Sequence, residues 1–168
     1  DKPAGYDLDQ FRRLLDEATG RGLVVQMGYM FRYNPGFQFC FNAVRSGLLG
    51  RVFSIDACMS KAIDRQERDH LKQSLQGGGS MFELGCHVID AVVAILGRPR
   101  RVTPYPRSSG SENDGFADNE LAVLEYPHAT VTVRSALIEV EGMHRRQFVI
   151  CGDAGTADLR PLEQPRLR

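Results

Sequence analysis

Apolar and polar residues follow two different periods along this chain of 168 residues. Residues 6–20, 36–46 and 80–96 carry apolar side chains at helical spacing, which predicts three helices. Asp7 and Gln10 fit the pattern of an N-cap and its capping partner at the start of the first helix. Short apolar or alternating runs predict strands at residues 23–27, 52–59, 102–105, 121–126, 130–137, 147–150 and 156–159.

The order of these elements indicates two kinds of structure. The helix at 6–20, a glycine turn and the apolar run at 23–27 are typical of the tail end of a Rossmann-type α/β unit. The later strands follow one another with short turns between most of them, which favours an α+β domain with a mixed or antiparallel open sheet and helices on one face. We therefore predict a boundary near residue 28, between residues 1–28 and residues 29–168.

Composition excludes several functions. The 21 basic and 21 acidic residues give a formal net charge of zero, so we expect neither nucleic acid nor a membrane as a partner. No run reaches the ~20 apolar residues of a membrane span. Four widely separated cysteines without a Cys-x-x-Cys pair are typical of buried thiols in a cytoplasmic protein.

The helix at 80–96 carries the candidate chemistry. Glu83, His87 and Asp90 stand at positions i, i+4 and i+7, within roughly 60° of one another around the helix axis. A histidine with a carboxylate one turn earlier suits general-base catalysis. The spacing fits a solvated polar stripe at least as well, and no third ligand supports a metal site. The opposite positions are apolar and predicted to be buried: Phe82, Val88, Ile89, Val92, Val93 and Leu96.

Three segments resemble one family, the glucose–fructose oxidoreductase/inositol dehydrogenase/MocA oxidoreductases. Asp1-Lys2-Pro3 is similar to the Glu-Lys-Pro of that family. Residues 28–35, Gly-Tyr-Met-Phe-Arg-Tyr-Asn-Pro, resemble its Arg-aromatic-x-Pro segment. Residues 77–90 begin with Gly-Gly-Gly and resemble its Gly-Gly-Gly…Asp-x-Gly-x-His-x-x-Asp helix. Asp118-Asn119-Glu120 and Gly152-Asp153-Ala154-Gly155-Thr156 are weaker matches. Together with them, the three segments extend the resemblance in the family's order through nearly the whole chain.

The resemblance implies an NAD- or NADP-dependent oxidoreductase that acts on a hydroxyl or carbonyl of a sugar, cyclitol or similar polyol. Lys2 would lie between nicotinamide and substrate, and His87 would take the hydroxyl proton. Glu83 stands where the family has an aspartate, and its longer side chain displaces the carboxylate by ~1.5 Å. The resemblance further implies substrate contacts from Arg32, Tyr33 and Asp90 and cofactor contacts from Lys2 and Pro3.

No Gly-x-Gly-x-x-Gly occurs in the sequence, although dinucleotide binding in a Rossmann fold uses that turn. We therefore interpret residues 1–28 as the remnant of a dinucleotide-binding domain and 29–168 as a substrate-binding and oligomerisation domain, inactive alone. The resemblance implies a homodimer or homotetramer formed through the sheet face, for which the alternating residues Val131, Val133 and Leu137 are candidates. The alternative function is a non-catalytic ligand-binding or assembly module with the same fold.

Overall fold

The computed structural model describes residues 3–74, 78–112, 114–163 and 166–167. Four α-helices are present in this part of the chain: α1 (Leu8–Gly20), α2 (Pro35–Arg45), α3 (Arg65–Ser74) and α4 (Cys86–Leu96). Seven strands form one sheet: β1 (Val52–Ser60), β2 (Arg101–Arg107), β3 (Asn119–Glu125), β4 (Thr130–Ala136), β5 (Gln147–Gly152), β6 (Thr156–Arg160) and β7 (Arg166–Leu167). None of the described helices is both long and apolar enough to cross a membrane.

The sheet is open and mixed, with strand order β2-β3-β4-β1-β5-β6-β7. β1 and β4 are parallel, and every other pair is antiparallel. This architecture confirms the predicted α+β fold with a mixed open sheet. β1 lies at the centre because it pairs with β4 on one side and with β5 on the other.

Polar side chains cap the amino-terminal ends of two helices. Asp7 accepts a hydrogen bond from the Gln10 amide at 2.9 Å, which confirms the N-cap of α1. Asn34 accepts from the Gly36 amide at 2.9 Å at the start of α2. Pro35 follows at the first helical position, where its missing N–H removes no intrahelical hydrogen bond.

The core lies between the sheet and the helices on one face. Phe37 of α2 packs against Phe148 of β5, with 5.0 Å between the ring centroids, and Val88 and Val92 of α4 are fully buried. The inward residues of β4 belong to the same cluster. Val131, Val133 and Leu137 are each 0% exposed, so their prediction as interface residues is wrong. Alternation shows that residues share a face but not whether helices cover it.

The residues on the other face of the sheet form rows across the strands. One row contains Tyr105, Leu121, Arg134, Cys58 and Gln147, which lie opposite one another from β2 to β5. This face, called the open face below, mixes charged, polar and half-buried apolar side chains.

Residues 23–29 form no strand, contrary to the prediction for 23–27. Leu23 and Val24 are 62% and 91% exposed. Strand formation depends on a partner for the backbone N–H and C=O groups, and no described strand lies beside this segment. An apolar run therefore indicates the capacity to form a buried strand but does not supply the partner.

The predicted helix at 80–96 consists of two parts. Residues Met81–Gly85 form a single π-helical turn, called the π-turn below, and α4 continues from Cys86. Single π-helical turns are rare and occur often at functional sites. Val93 is 42% exposed rather than buried, whereas Phe82, Ile89 and Leu96 are half-buried.

Candidate active site

A cavity of about 410 Å³ lies where the segment before α2 meets the π-turn and α4. Its walls are mostly apolar, with a carboxylate and a phenol among them. The lining residues are Pro3, Tyr29, Gly78, Met81, Phe82, Cys86, Ile89, Asp90 and Val93. A concave and largely apolar space with a few polar groups is the usual form of a small-molecule site.

His87 is buried, with 5% of its surface exposed. It does not line the cavity itself, but it follows Cys86 and contacts Tyr29, both of which do. The Met30 amide donates to its Nδ1 at 3.4 Å. The rings of Tyr29 and Phe31 approach it edge-on, at centroid distances of 6.2 and 6.0 Å. These contacts hold the imidazole in one orientation, as a proton-transferring group requires. Burial of His87 also excludes the solvated stripe that its spacing allowed.

Asp90 forms a bidentate ion pair with Arg32 across two elements. Arg32 Nε lies 2.8 Å from Oδ2 of Asp90, and Nη2 lies 2.6 Å from Oδ1. The hydrogen bond with Asp90 raises the pKa of Arg32 above its ordinary value. The guanidinium also lies over the Tyr29 ring, 5.6 Å from its centroid. The pair fixes the short 3₁₀ turn Met30–Tyr33 against α4 at the rim of the cavity.

Glu83 belongs to the π-turn and lies on the side of β1. Its Oε1 atom is 3.9 Å from Nζ of Lys61, which directly follows β1. Lys61 also contacts Glu67 of α3 at 2.5 Å. The three polar residues predicted to share one helix face therefore have different surroundings. Because a π-turn contains about one more residue per turn than an α-helix, spacing counted at ~100° per residue does not hold across it.

Two of the seven predicted site residues, Pro3 and Asp90, line the cavity. Arg32 and His87 do not line it but contact residues that do, Asp90 and Tyr29 respectively. Glu83 lies on the adjacent π-turn. Tyr33 is 76% exposed and does not line the cavity. Lys2 lies outside the described residues, so its predicted catalytic and cofactor contacts stay a prediction.

Tyr29 and Lys61 were missed by the sequence reasoning. Tyr29 lines the cavity and contacts His87, and burial raises the pKa of its phenol. Its position inside the segment at 28–35 could have singled it out. Lys61 stands 22 positions before Glu83, and no local pattern connects the two residues.

The arrangement suits proton transfer more than metal chemistry. No group of three or more His, Cys, Asp or Glu side chains that could hold a metal ion occurs among the described residues. A buried imidazole next to an apolar cavity can instead exchange a proton with a bound ligand, while nearby carboxylates and cations orient that ligand. Fold and site thus define an α+β domain with a candidate proton-transfer centre.

A family model places the chain among known proteins. The model described as the GFO/IDH/MocA C-terminal domain matches residues 37–158, which is most of the chain. The chain belongs to this family, which confirms the resemblance inferred from the sequence.

Two sugar dehydrogenases illustrate the similarity to individual relatives. D-xylose 1-dehydrogenase (NADP(+)) 2 of Haloferax volcanii is 26% identical over 147 residues, which are 87% of this chain and 44% of the relative. D-glucoside 3-dehydrogenase of Escherichia coli is 28% identical over 103 residues, 59% of this chain and 28% of the relative. The chain therefore spans less than half the length of these relatives.

Solved structures share the fold. The inositol dehydrogenase homolog from Azotobacter vinelandii, complexed with NAD+, has a TM-score of 0.83 at 17% identity and covers 95% of this chain. The WlbA dehydrogenase from Bordetella pertussis, in complex with NADH and UDP-GlcNAcA, has a TM-score of 0.80 at 16% identity and covers 99%. This chain covers 44% and 53% of those two chains.

Proposed function

We propose that this chain is the substrate-side part of an NAD(P)-dependent oxidoreductase that acts on a hydroxyl or carbonyl group of a sugar, cyclitol or similar polyol. The observation that supports it best is the buried His87, which is held by Met30, Phe31 and the cavity-lining Tyr29. Family membership and relatives named as sugar dehydrogenases support the same activity.

In this proposal His87 exchanges a proton with the reacting oxygen of the substrate. A positioned acid or base contributes about 10²–10⁴-fold to such a step. Glu83 and Lys61 form a charged pair on the β1 side and orient the substrate's hydroxyl groups. The ion pair of Asp90 and Arg32 lies at the rim of the cavity on the side of α4. Lys2 would add a positive charge beside the reacting oxygen, in line with the resemblance.

The cavity fits only part of a nicotinamide cofactor. Met81, Phe82 and Ile89 form an apolar wall against which a flat ring can pack, but the described residues that line the cavity include no lysine or arginine for phosphate groups. NAD or NADP, when bound, supplies the hydride acceptor. We propose that its phosphates are held by a dinucleotide-binding domain outside this chain, that residues 1–28 belong to that domain, and that the chain alone has no turnover.

We also propose that the protein associates as a homodimer or homotetramer through the open face. Leu121, Val123 and Val149 on that face are half-buried and apolar, and Tyr105 is 45% exposed. Sedimentation velocity tests this directly. Leu121→Glu should convert the oligomer to a monomer, whereas a monomeric unchanged protein would contradict the proposal.

Turnover assays test the function. The complete polypeptide is incubated with NAD+ or NADP+ and with D-xylose, myo-inositol or methyl β-D-glucoside, and reduced cofactor is followed at 340 nm. We expect turnover with at least one pair and none from this chain alone. Sugar binding in calorimetry without any turnover would contradict the proposal and favour the non-catalytic module.

A further inference from the structure

The π-turn that carries Glu83 begins on a half-buried carboxylate of the sheet. Oε2 of Glu120, on β3, accepts from the Met81 amide at 2.6 Å and from the Ser80 hydroxyl at 3.0 Å. Ser80 is 0% exposed. The first N–H groups of a helical segment have no acceptor within the segment itself. Glu120 supplies that acceptor from another layer of the fold.

A second strand completes the attachment. Ser135 of β4 lies directly opposite Glu120, and its hydroxyl is 2.9 Å from the Ser80 carbonyl oxygen. The Ser80 amide donates to the carbonyl of Ala117 at 2.8 Å. The carbonyl, amide and hydroxyl groups of Ser80 are therefore all hydrogen-bonded to β3, β4 or the loop before β3. Such complete bonding fixes the position at which the π-turn starts.

Gly79 makes this close approach feasible. Its φ of +59° lies in the left-handed region that side chains disfavour. A Cβ at this position would lie 2.6 Å from Oε2 of Glu120 and would also collide with the Ala117 carbonyl. The glycine thus leaves space for the carboxylate at the beginning of the turn.

Partial burial of Glu120 has a cost that no basic side chain among the described residues offsets. Desolvation raises the pKa of Glu120, and the charge of Asp118 acts in the same direction, whereas the bonds from Ser80 and Met81 lower it. A buried carboxylate is destabilising unless its hydrogen bonds are satisfied. Its stabilising partners are the donors at the start of the π-turn, so carboxylate and turn depend on each other.

We propose that Glu120 is a positioning residue for the candidate active site, because it fixes the start of the π-turn and thereby sets the location of Glu83 relative to His87. If the π-turn became an α-helical turn, the turn would contain about one residue fewer. Glu83 would then be rotated by ~100° about the helix axis. Glu83 would then leave Lys61. The kinetic part of this inference rests on the proposed function.

The variants Glu120→Ala and Glu120→Gln test this role, with Glu125→Ala as the matched control. Glu125 lies on the same strand and pairs with Arg101 at the surface. Gln keeps an oxygen acceptor for the Met81 amide, whereas Ala removes it. In hydrogen exchange, Glu120→Ala should accelerate exchange of residues 80–85 at least about tenfold without changing β1 or β4, and Glu120→Gln should restore most of the protection. Glu125→Ala should match the unchanged protein.

Steady-state kinetics supply the second readout, with D-xylose and NADP+ and the complete polypeptide. Glu120→Ala should lower kcat at least about 100-fold with KM within threefold, since a displacement of about 1 Å already costs that much in rate and the rotation of Glu83 is larger. Glu120→Gln should recover most of kcat. Uniformly faster exchange, or a Gln variant as impaired as Ala in both readouts, would overturn the positioning role. If the unchanged protein turns over no sugar, the proposed function fails while the exchange result still decides the role of Glu120.

Discussion

The most informative stability prediction concerns Asp118, which is fully buried in front of β3. Its carboxylate accepts from Arg68 Nη1 at 2.8 Å and from the amides of Ser109 and Gly110 at 2.8 and 3.1 Å. Arg68 is itself only 6% exposed. Asp118→Ala would leave a buried guanidinium with one carboxylate partner fewer and two amides without their acceptor.

The expected loss can be worked out from these contacts. Breaking a buried ion pair by removing one partner costs about 3–5 kcal/mol. Arg68 retains Asp114 at 2.8 Å, a carboxyl whose pKa is held well below its usual range by Arg68 and Lys72. We therefore expect the low end, ~3 kcal/mol, and a Tm lower by ~6–12 °C for a chain of this size.

Urea unfolding followed by circular dichroism measures this difference. Asp158→Ala is the control, because Asp158 pairs with Arg160 at the surface and should contribute less than ~0.5 kcal/mol. A free energy of unfolding for Asp118→Ala within 1 kcal/mol of the unchanged protein would refute the reasoning. It would show that Asp114 alone satisfies Arg68.

Three further predictions concern other sites. Gly79→Ala should lower the free energy of unfolding by roughly 2–4 kcal/mol in the same assay, because of its positive φ and the collision with Ala117; a neutral effect would contradict the described geometry. Burial raises the pKa of Cys40 to about 11, so the unfolded chain loses that proton first and stability should fall by on the order of 2 kcal/mol as pH rises from 9 to 11. Urea unfolding measured at several pH values should show that the free energy of unfolding falls more steeply with pH in the unchanged protein than in Cys40→Ala. Equal slopes for the two proteins would refute the prediction. Arg32→Met should raise KM for the sugar about tenfold with a smaller change in kcat, since Asp90 then loses its ion-pair partner; an unchanged KM would contradict a role in substrate binding.

The periodicity of the sequence predicted most of the fold because side-chain spacing is a local property. α2 and six of the seven strands fall close to their predicted positions. Pairing is not local, so the apolar run at 23–27 was wrongly predicted as a strand. The π-turn was also missed, because counting at ~100° per residue assumes an α-helix throughout.

The candidate site was predictable in part. Arg32 and Asp90 were both predicted to contact substrate, but their ion pair joins residues 58 positions apart and leaves no local signal. Glu120 and Lys61 were not predicted as site residues for the same reason, since each reaches the π-turn from a distant strand or strand end. Sequence patterns locate a helix and its polar residues, whereas the contacts that position them depend on the assembled sheet.

The role of His87 is the central claim, and one kinetic comparison tests it most directly. In the complete polypeptide, turnover of the preferred sugar is measured for His87→Asn and for His144→Asn, whose histidine is exposed in a short turn after β4. Loss of a proton-transferring group predicts a fall in kcat of at least about 100-fold for His87→Asn and no change for His144→Asn. Turnover within a few-fold of the unchanged protein for His87→Asn would contradict the account.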